Sequence, residues 1–192
     1  VDSVNATQEE RLAFLTRRTS AIGLGEPGPD PATLDRLLAA ACAVPDHSLL
    51  QPFRFVVVDT QARQRFGEAL AAVARELDPN LQEFHATKLV NKAFFGPCLV
   101  ALIASPRPGA KVPVWEQEAS AACTGFALVL AAEALGFGAV WKSAPVHEGR
   151  ALAELLALSP GERFLGWVNL GTNTRETKPR APVDLSRLVK RL

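Results

Sequence analysis

The chain has 192 residues, 48% of them hydrophobic and 21% charged, with 21 Lys and Arg against 20 Asp and Glu. That length suits a single domain spanning residues 1–192, and the apolar share excludes a disordered chain. A formal net charge of +1 excludes a surface spread over a large polyanion, so nucleic acid is not the expected partner.

Thr7-Gln8-Glu9-Glu10 has capping-box spacing and predicts a helix running to about Arg17. Gly23, Gly25, Pro27, Gly28 and Pro29 then read as irregular loop. Asp30-Pro31 supplies an N-cap and a first-position proline for a helix that runs to about Ala43 and is stopped by Pro45. Phe53 to Asp59 reads as a strand, Arg63 to Leu77 as a helix with Phe66, Leu70, Val73 and Leu77 on one stripe, and Leu81 to Lys92 as another helix. Cys98 to Ala104 is a continuous apolar strand, expected to be covered on both faces. A long helix follows from Val114 to Leu135 with Gly136 as its left-handed cap. Its second half is apolar all round apart from Thr124 and Glu133, which predicts burial on every side, in the core or at a subunit interface. Gly138 to Trp141 is a short strand, Val146 to Leu156 a helix and Phe164 to Leu170 a last strand. The order predicts an α+β or mixed α/β fold with helices on both faces of a sheet.

Cys42, Cys98 and Cys123 form no C-x-x-C and are expected as small buried apolar residues in a reducing cytoplasm. Gln8-Glu9-Glu10-Arg11 is charged where a secretory signal would be apolar. The uncharged run Ala119 to Ala132 is shorter than the roughly 20 residues of a membrane span. A soluble protein without a membrane partner is the expectation.

Three segments carry candidate chemistry. Arg17-Arg18-Thr19-Ser20 sits where the first helix gives way to loop. It reads either as a phosphate grip of forked guanidiniums and hydroxyls or as a solvated basic helix end. Pro45-Asp46-His47-Ser48, with Gln51-Pro52 just before a strand, places polar groups on a loop stiffened by two prolines; the alternative is a helix stop and turn. Trp141-Lys142-Ser143-Ala144 ends a short strand, where ligands of open α/β sheets bind. Gly136-Phe137-Gly138 follows a helix rather than opening one, so it is no dinucleotide fingerprint. Lys178-Pro179-Arg180 either adds charge at a phosphate or is a solvated tail. His85 and His147 fall on helix surfaces without metal-ligand spacing, and no metal site is expected. Trp115-Glu116-Gln117-Glu118 suits the positive end of the long helix and could equally line a cleft or interface.

Taken in order, Arg17-Arg18-Thr19, Pro45-Asp46-His47-Ser48 with Gln51-Pro52-Phe53, Lys111 to Glu118, Gly136 to Ser143 and Leu170-Gly171-Thr172 resemble the nitroreductase family of FMN-dependent oxidoreductases, closest to its short, YdjA-type members. The resemblance implies a nitroreductase-like α+β sandwich, its central, mostly antiparallel sheet flanked by helices, in an intertwined homodimer with two FMN sites across the interface. It implies that Arg17 and Thr19, with Arg18 alongside, hold the FMN phosphate and ribityl chain. Pro45, Asp46, His47 and Gln51 would reach the flavin from the other subunit. Trp141, Lys142 and Ser143 would lie along the isoalloxazine edge, and Lys178 and Arg180 would form a C-terminal phosphate contact. Leu49 stands where many members carry Asn, His47 where they carry Ser, and Ala21 where they carry a basic residue. The implied activity takes hydride from NADH or NADPH and reduces nitroaromatics, quinones or related electron-poor small molecules by a ping-pong mechanism. The rivals are a flavoprotein acting on a different metabolite and a flavin-binding dimer without such turnover. No catalytic side chain is expected, because the cofactor carries the redox step.

Overall fold

The computed structural model describes residues 7–143 and 149–192. Helix α1 (Gln8–Arg17) begins at its capping box: the Thr7 hydroxyl accepts from the Glu10 N–H (3.2 Å), and the Glu10 carboxylate accepts from the Thr7 N–H (2.6 Å). The next helix, α2 (Pro31–Ala41), is capped by Asp30, whose Oδ1 accepts from the Thr33 N–H at 2.7 Å. Between them lies β1 (Leu24–Gly25), inside the segment expected to be irregular. The order continues as β2 (Phe53–Val57), α3 (Arg63–Leu77), α4 (Glu83–Lys92), β3 (Cys98–Ala104), α5 (Val114–Ala134), β4 (Gly138–Lys142), α6 (Arg150–Leu155) and β5 (Arg163–Asn173). Single 3-10 turns stand at His47–Leu49 and Leu185–Arg187. Ala144, His147 and the start of the helix expected from Val146 lie outside the described residues.

The sheet is antiparallel throughout. β3 pairs with β2 on one side and β5 on the other, and β5 also pairs with β4 and, at its C-terminal end, with β1. β5 outruns its predicted span because the pairing with β1 extends it to Asn173. A bulge between β3 and β5 falls at Gly166, whose φ of +99° an L side chain rarely adopts; a Cβ there would also strike the Lys142 carbonyl.

All seven residues of β3 are buried, as a strand covered on both faces must be. One face carries α3, α4 and α6 over a core that includes Phe66, Leu70, Leu152, Phe164 and Trp167. There the Phe66 ring meets Trp167 edge-on, with centroids 5.5 Å apart, a contact worth about 0.5–1.5 kcal/mol beyond its buried area. The other face carries α2 and α5 over Leu37, Leu102, Leu128, Val168 and Leu170.

Of the two covers expected for α5, core or interface, the core of one chain supplies only one side: Gln117, Ala121, Thr124, Leu128 and Ala132 are buried, while Trp115 (68% exposed), Cys123 and Phe126 (51%) face outward. Three other expectations change. Only Cys98 is buried; Cys42 at the end of α2 and Cys123 on the outer face of α5 are exposed. The rule that placed a ligand at strand carboxyl ends belongs to open parallel sheets and does not apply to this antiparallel one. Arg63, which read as an ordinary helix start, is 5% exposed and donates to the carbonyls of Val58, Ala93, Gly96 and Pro97. Its guanidinium thereby satisfies the end of α4 and the turn into β3. Among the described residues no helix is long and apolar enough to cross a membrane.

Candidate functional site

A cleft of about 260 Å³ opens where α1 ends beside the last turn of α5, lined by Arg17, Thr19, Glu133, Gly138, Asn173 and Thr177 among others. The Arg17 guanidinium donates from Nε to Glu133 Oε1 at 3.2 Å and lies 5.5 Å from the Phe14 ring centre. The Thr19 and Thr177 hydroxyls meet at 2.6 Å, and the Ala21 N–H donates to the Ala139 carbonyl at 2.9 Å, which ties residues 19–21 to the edge of β4. Arg18 is the half-buried residue that closes α1. The two glycines of Gly136-Phe137-Gly138 have separate reasons: Gly136 turns the chain out of α5 at φ +81°, and a Cβ on Gly138 would collide with the Asn173 amide. A wider groove of about 830 Å³ adjoins the cleft and is lined by Arg17, Thr19, Thr177 and Arg180 together with apolar residues of α1 and the tail. Lys178 is exposed and lines neither.

The second segment is a tightly built loop. Asp46 accepts from the Leu50 N–H (3.1 Å) with one carboxylate oxygen and from the Gln51 N–H (2.6 Å) with the other. The Pro45 carbonyl accepts from the Ser120 hydroxyl of α5 (2.8 Å), and the Leu50 carbonyl from Arg107 Nε (3.2 Å). These bonds hold Ser48, Leu49 and Gln51 at φ of +65°, +51° and +47°, where non-glycine residues are strained. His47 Nδ1 lies 2.9 Å from Glu116 Oε2 in the first turn of α5; a carboxylate at Nδ1 places the proton there and leaves Nε2 for another partner. Asp46 thus spends its carboxylate inside the loop, whereas His47, Gln51 and Leu49 (84% exposed) stand at the surface.

The third segment is split by strand alternation. Trp141 packs towards α5, where a Cβ on Gly125 would lie 2.9 Å from its ring, and its Nε1 donates to the Leu165 carbonyl at 3.0 Å. Lys142 points to the opposite face, its Nζ 3.2 Å from the centre of the Phe95 ring after α4. Burial first, and the neighbouring Lys92 second, push its pKa down to about 8. Ser143 is exposed beyond the end of β4.

One chain therefore brings Arg17, Thr19 and Arg180 together at the C-terminal end of α5, and Pro45 to Gln51 at its N-terminal end. At 1.5 Å rise per residue, Glu116 and Glu133 are about 25 Å apart along the axis. β4 runs back from Gly138 in the cleft towards mid-helix, so its edge leads from the Arg17 cleft to Ser143. Glu116, Ser120, Glu133, Asn173 and Thr177 complete the two regions without having been singled out as site residues. The available signal was modest: polar side chains on an otherwise apolar helix, and Glu116 within a segment already suited to a cleft. At one end the Arg17 guanidinium and the Thr19 and Thr177 hydroxyls offer donors suited to anionic oxygens, and the β4 edge runs about 17 Å beside them.

The fold is a two-faced α+β sandwich with a polar cleft where α1 meets the end of α5. The chain belongs to the nitroreductase family, whose model matches residues 16–172, a span that ends before Lys178 and Arg180. It is 34% identical over 165 residues to the Escherichia coli (strain K12) protein named Putative NAD(P)H nitroreductase YdjA, covering 85% of this chain and 88% of that one. It is 35% identical over 170 residues to a Haemophilus influenzae protein named Putative NAD(P)H nitroreductase, covering 88% and 91%. Its fold matches the nitroreductase-like family protein of Bacillus cereus with a TM-score of 0.81 at 18% identity, over 100% of this chain and 99% of that one. It also matches the FMN and NADPH-dependent nitroreductase NfnB of Sphingopyxis sp. strain HMH, with a TM-score of 0.71 at 17% identity, over 94% and 98%.

Proposed function

We propose that this protein is an FMN-dependent oxidoreductase that takes hydride from NADH or NADPH and reduces nitroaromatics, quinones or related electron-poor small molecules, the two substrates using one pocket in turn. Family membership supports the class. The observation that carries the site is the cleft in which Arg17, Thr19 and Thr177 gather at the start of β4, with Arg180 in the adjoining groove. Arg17, Arg18, Thr19 and Arg180 would hold the phosphate, and the edge of β4 from Gly138 to Ser143 would run beside the ribityl chain and ring. When bound, FMN supplies the hydride-transfer chemistry; the protein binds, orients and shields it.

The working unit in this reading is a homodimer. The Pro45 to Gln51 loop and the Arg17 cleft sit at opposite ends of α5, on Glu116 and Glu133 that are about 25 Å apart along the axis, too far for one flavin ring to touch both. A two-fold axis near the middle of α5 would lay the loop of one subunit beside the cleft of the other. The outward apolar stripe of Trp115, Cys123 and Phe126 is the surface such a contact would cover. In that dimer Asp46 shapes the loop, Glu116 fixes the His47 ring, and His47, Gln51 and Leu49 face the partner's flavin. Three free cysteines fit a reducing, cytoplasmic setting.

Purified protein is expected to be yellow, or to become so with added FMN. Anaerobic NAD(P)H should bleach the flavin band, and a nitroaromatic or quinone should restore it. Protein that neither retains nor takes up FMN contradicts the reading. Bleaching by NAD(P)H without reoxidation by any nitroaromatic or quinone points instead to a different acceptor.

A further inference from the structure

Glu133 is an odd resident of a phosphate cleft. It is an acid one residue before the end of α5, where the helix dipole disfavours negative charge, and its side chain is only 27% exposed. It also lines the same cleft as Arg17 and Thr19, where an arriving phosphate would meet its charge. A simple electrostatic count makes it a competitor for Arg17 that any phosphate must displace.

The geometry points to a different role: we propose that Glu133 is a positioning residue that aims Arg17 at the phosphate. The contact uses Arg17 Nε, at 3.2 Å from Glu133 Oε1. Among the described residues this is the one hydrogen bond of that guanidinium. The end-on fork of two Nη groups is the edge that binds two oxygens of a phosphate, and it stays open. Phe14 lies against the guanidinium at 5.5 Å, so Arg17 is held at Nε by an acid and across its face by a ring. A long side chain that is itself 65% exposed would otherwise lose rotamer freedom on binding, which weakens affinity. Holding it beforehand removes that cost. Thr177, bonded to Thr19 at 2.6 Å, does the same for the neighbouring hydroxyl.

This inference rests on the reading that the Arg17 cleft takes the FMN phosphate, and the experiment separates the two. Dissociation constants for FMN and for riboflavin, which lacks the phosphate, are measured by flavin fluorescence quenching on apoprotein of the wild type, Glu133→Gln, Glu133→Ala and Arg17→Ala. Glu133→Gln keeps an acceptor oxygen for Nε and should bind FMN within about threefold of wild type. Glu133→Ala should weaken FMN by about tenfold, or 1.4 kcal/mol, with riboflavin unchanged. Glu133→Ala binding FMN as tightly as wild type, or more tightly, makes Glu133 a competitor and overturns the proposal. Equal weakening of FMN and riboflavin makes its role structural and overturns it as well, as does a Glu133→Gln loss matching that of Glu133→Ala. An Arg17→Ala protein with undiminished FMN affinity sinks the phosphate-cleft reading itself.

Discussion

Glu116 and Glu133 stand about 25 Å apart on one helix, and each holds a group delivered from elsewhere in the chain. Glu116 takes the His47 imidazole at 2.9 Å, and Glu133 takes the Arg17 guanidinium at 3.2 Å. α5 is thus the ruler of the molecule, with its buried face on the sheet, Glu116 and Glu133 near its two ends and exposed apolar residues on its outer side. The proposed shared active site follows from that arrangement, because a two-fold partner reverses the ruler and brings unlike ends together.

The outer stripe of α5 should govern assembly. Phe126 is 51% exposed in one chain and would be covered in the dimer. Phe126→Glu places a charge in that surface and should give monomers by sedimentation velocity, with loss of tight FMN binding. A dimer that still binds FMN tightly would show that the contact lies elsewhere.

Asp46 should matter through the loop rather than through contact with a ligand. Its two oxygens serve two backbone N–H groups in a segment with three strained residues. Asp46→Ala should cost about 1–2 kcal/mol in urea unfolding and speed proteolysis at residues 46–51, while Asp46→Asn, which keeps one acceptor, should cost less. Unchanged cleavage in Asp46→Ala would contradict the clamp.

Gly125 makes room for the Trp141 ring. A Cβ at that position would lie 2.6 Å from Leu102 Cδ1 and 2.9 Å from the indole. Gly125→Ala, though it improves helix propensity, should destabilise the protein by about 1–3 kcal/mol through overpacking and shift the tryptophan emission. A rise in Tm would show that the ring yields easily.

Glu162 should mark the acid limb of stability. The Arg54 side chain, bonded at 2.6 and 2.7 Å, holds its carboxyl down to about 2 against an ordinary 4.5. A carboxylate lowered in the folded state contributes stability that is full above about 4.5 and lost as pH falls through about 2. Arg54→Gln should flatten the loss of stability between those values relative to wild type, measured by urea midpoint against pH. Parallel curves for the two proteins would contradict this assignment.

Periodic signals were legible where they were long. α3 and β3 have the bounds read from their apolar patterns, Arg63–Leu77 and Cys98–Ala104, and the caps Thr7 and Asp30 act as their residue types require. Features made by distant pairing were not. β1 is two residues whose strand character comes from Asn173 and Thr172, and Glu133 reaches Arg17 across 116 positions of sequence. The left-handed turns at Ser48, Leu49 and Gln51 carry no glycine to announce them. The separation of Trp141 from Lys142 was readable in principle, since neighbours on a strand face opposite ways. A single chain's pattern could equally not show which face of α5 stays uncovered, because an apolar helix looks the same in a core and at an interface.

The shared site is tested most directly by complementation. Arg17→Ala and His47→Ala chains with different tags are co-expressed, the doubly tagged dimers are isolated, and their tight FMN sites are counted by titration. If Arg17 of one subunit and His47 of the other build each site, both mutant homodimers bind weakly. The mixed dimer then has one site lacking both residues and one fully wild-type site, so the account predicts one tight FMN per mixed dimer. A mixed dimer with no restored site would place both residues in the same subunit's site, or outside it, and contradict the account.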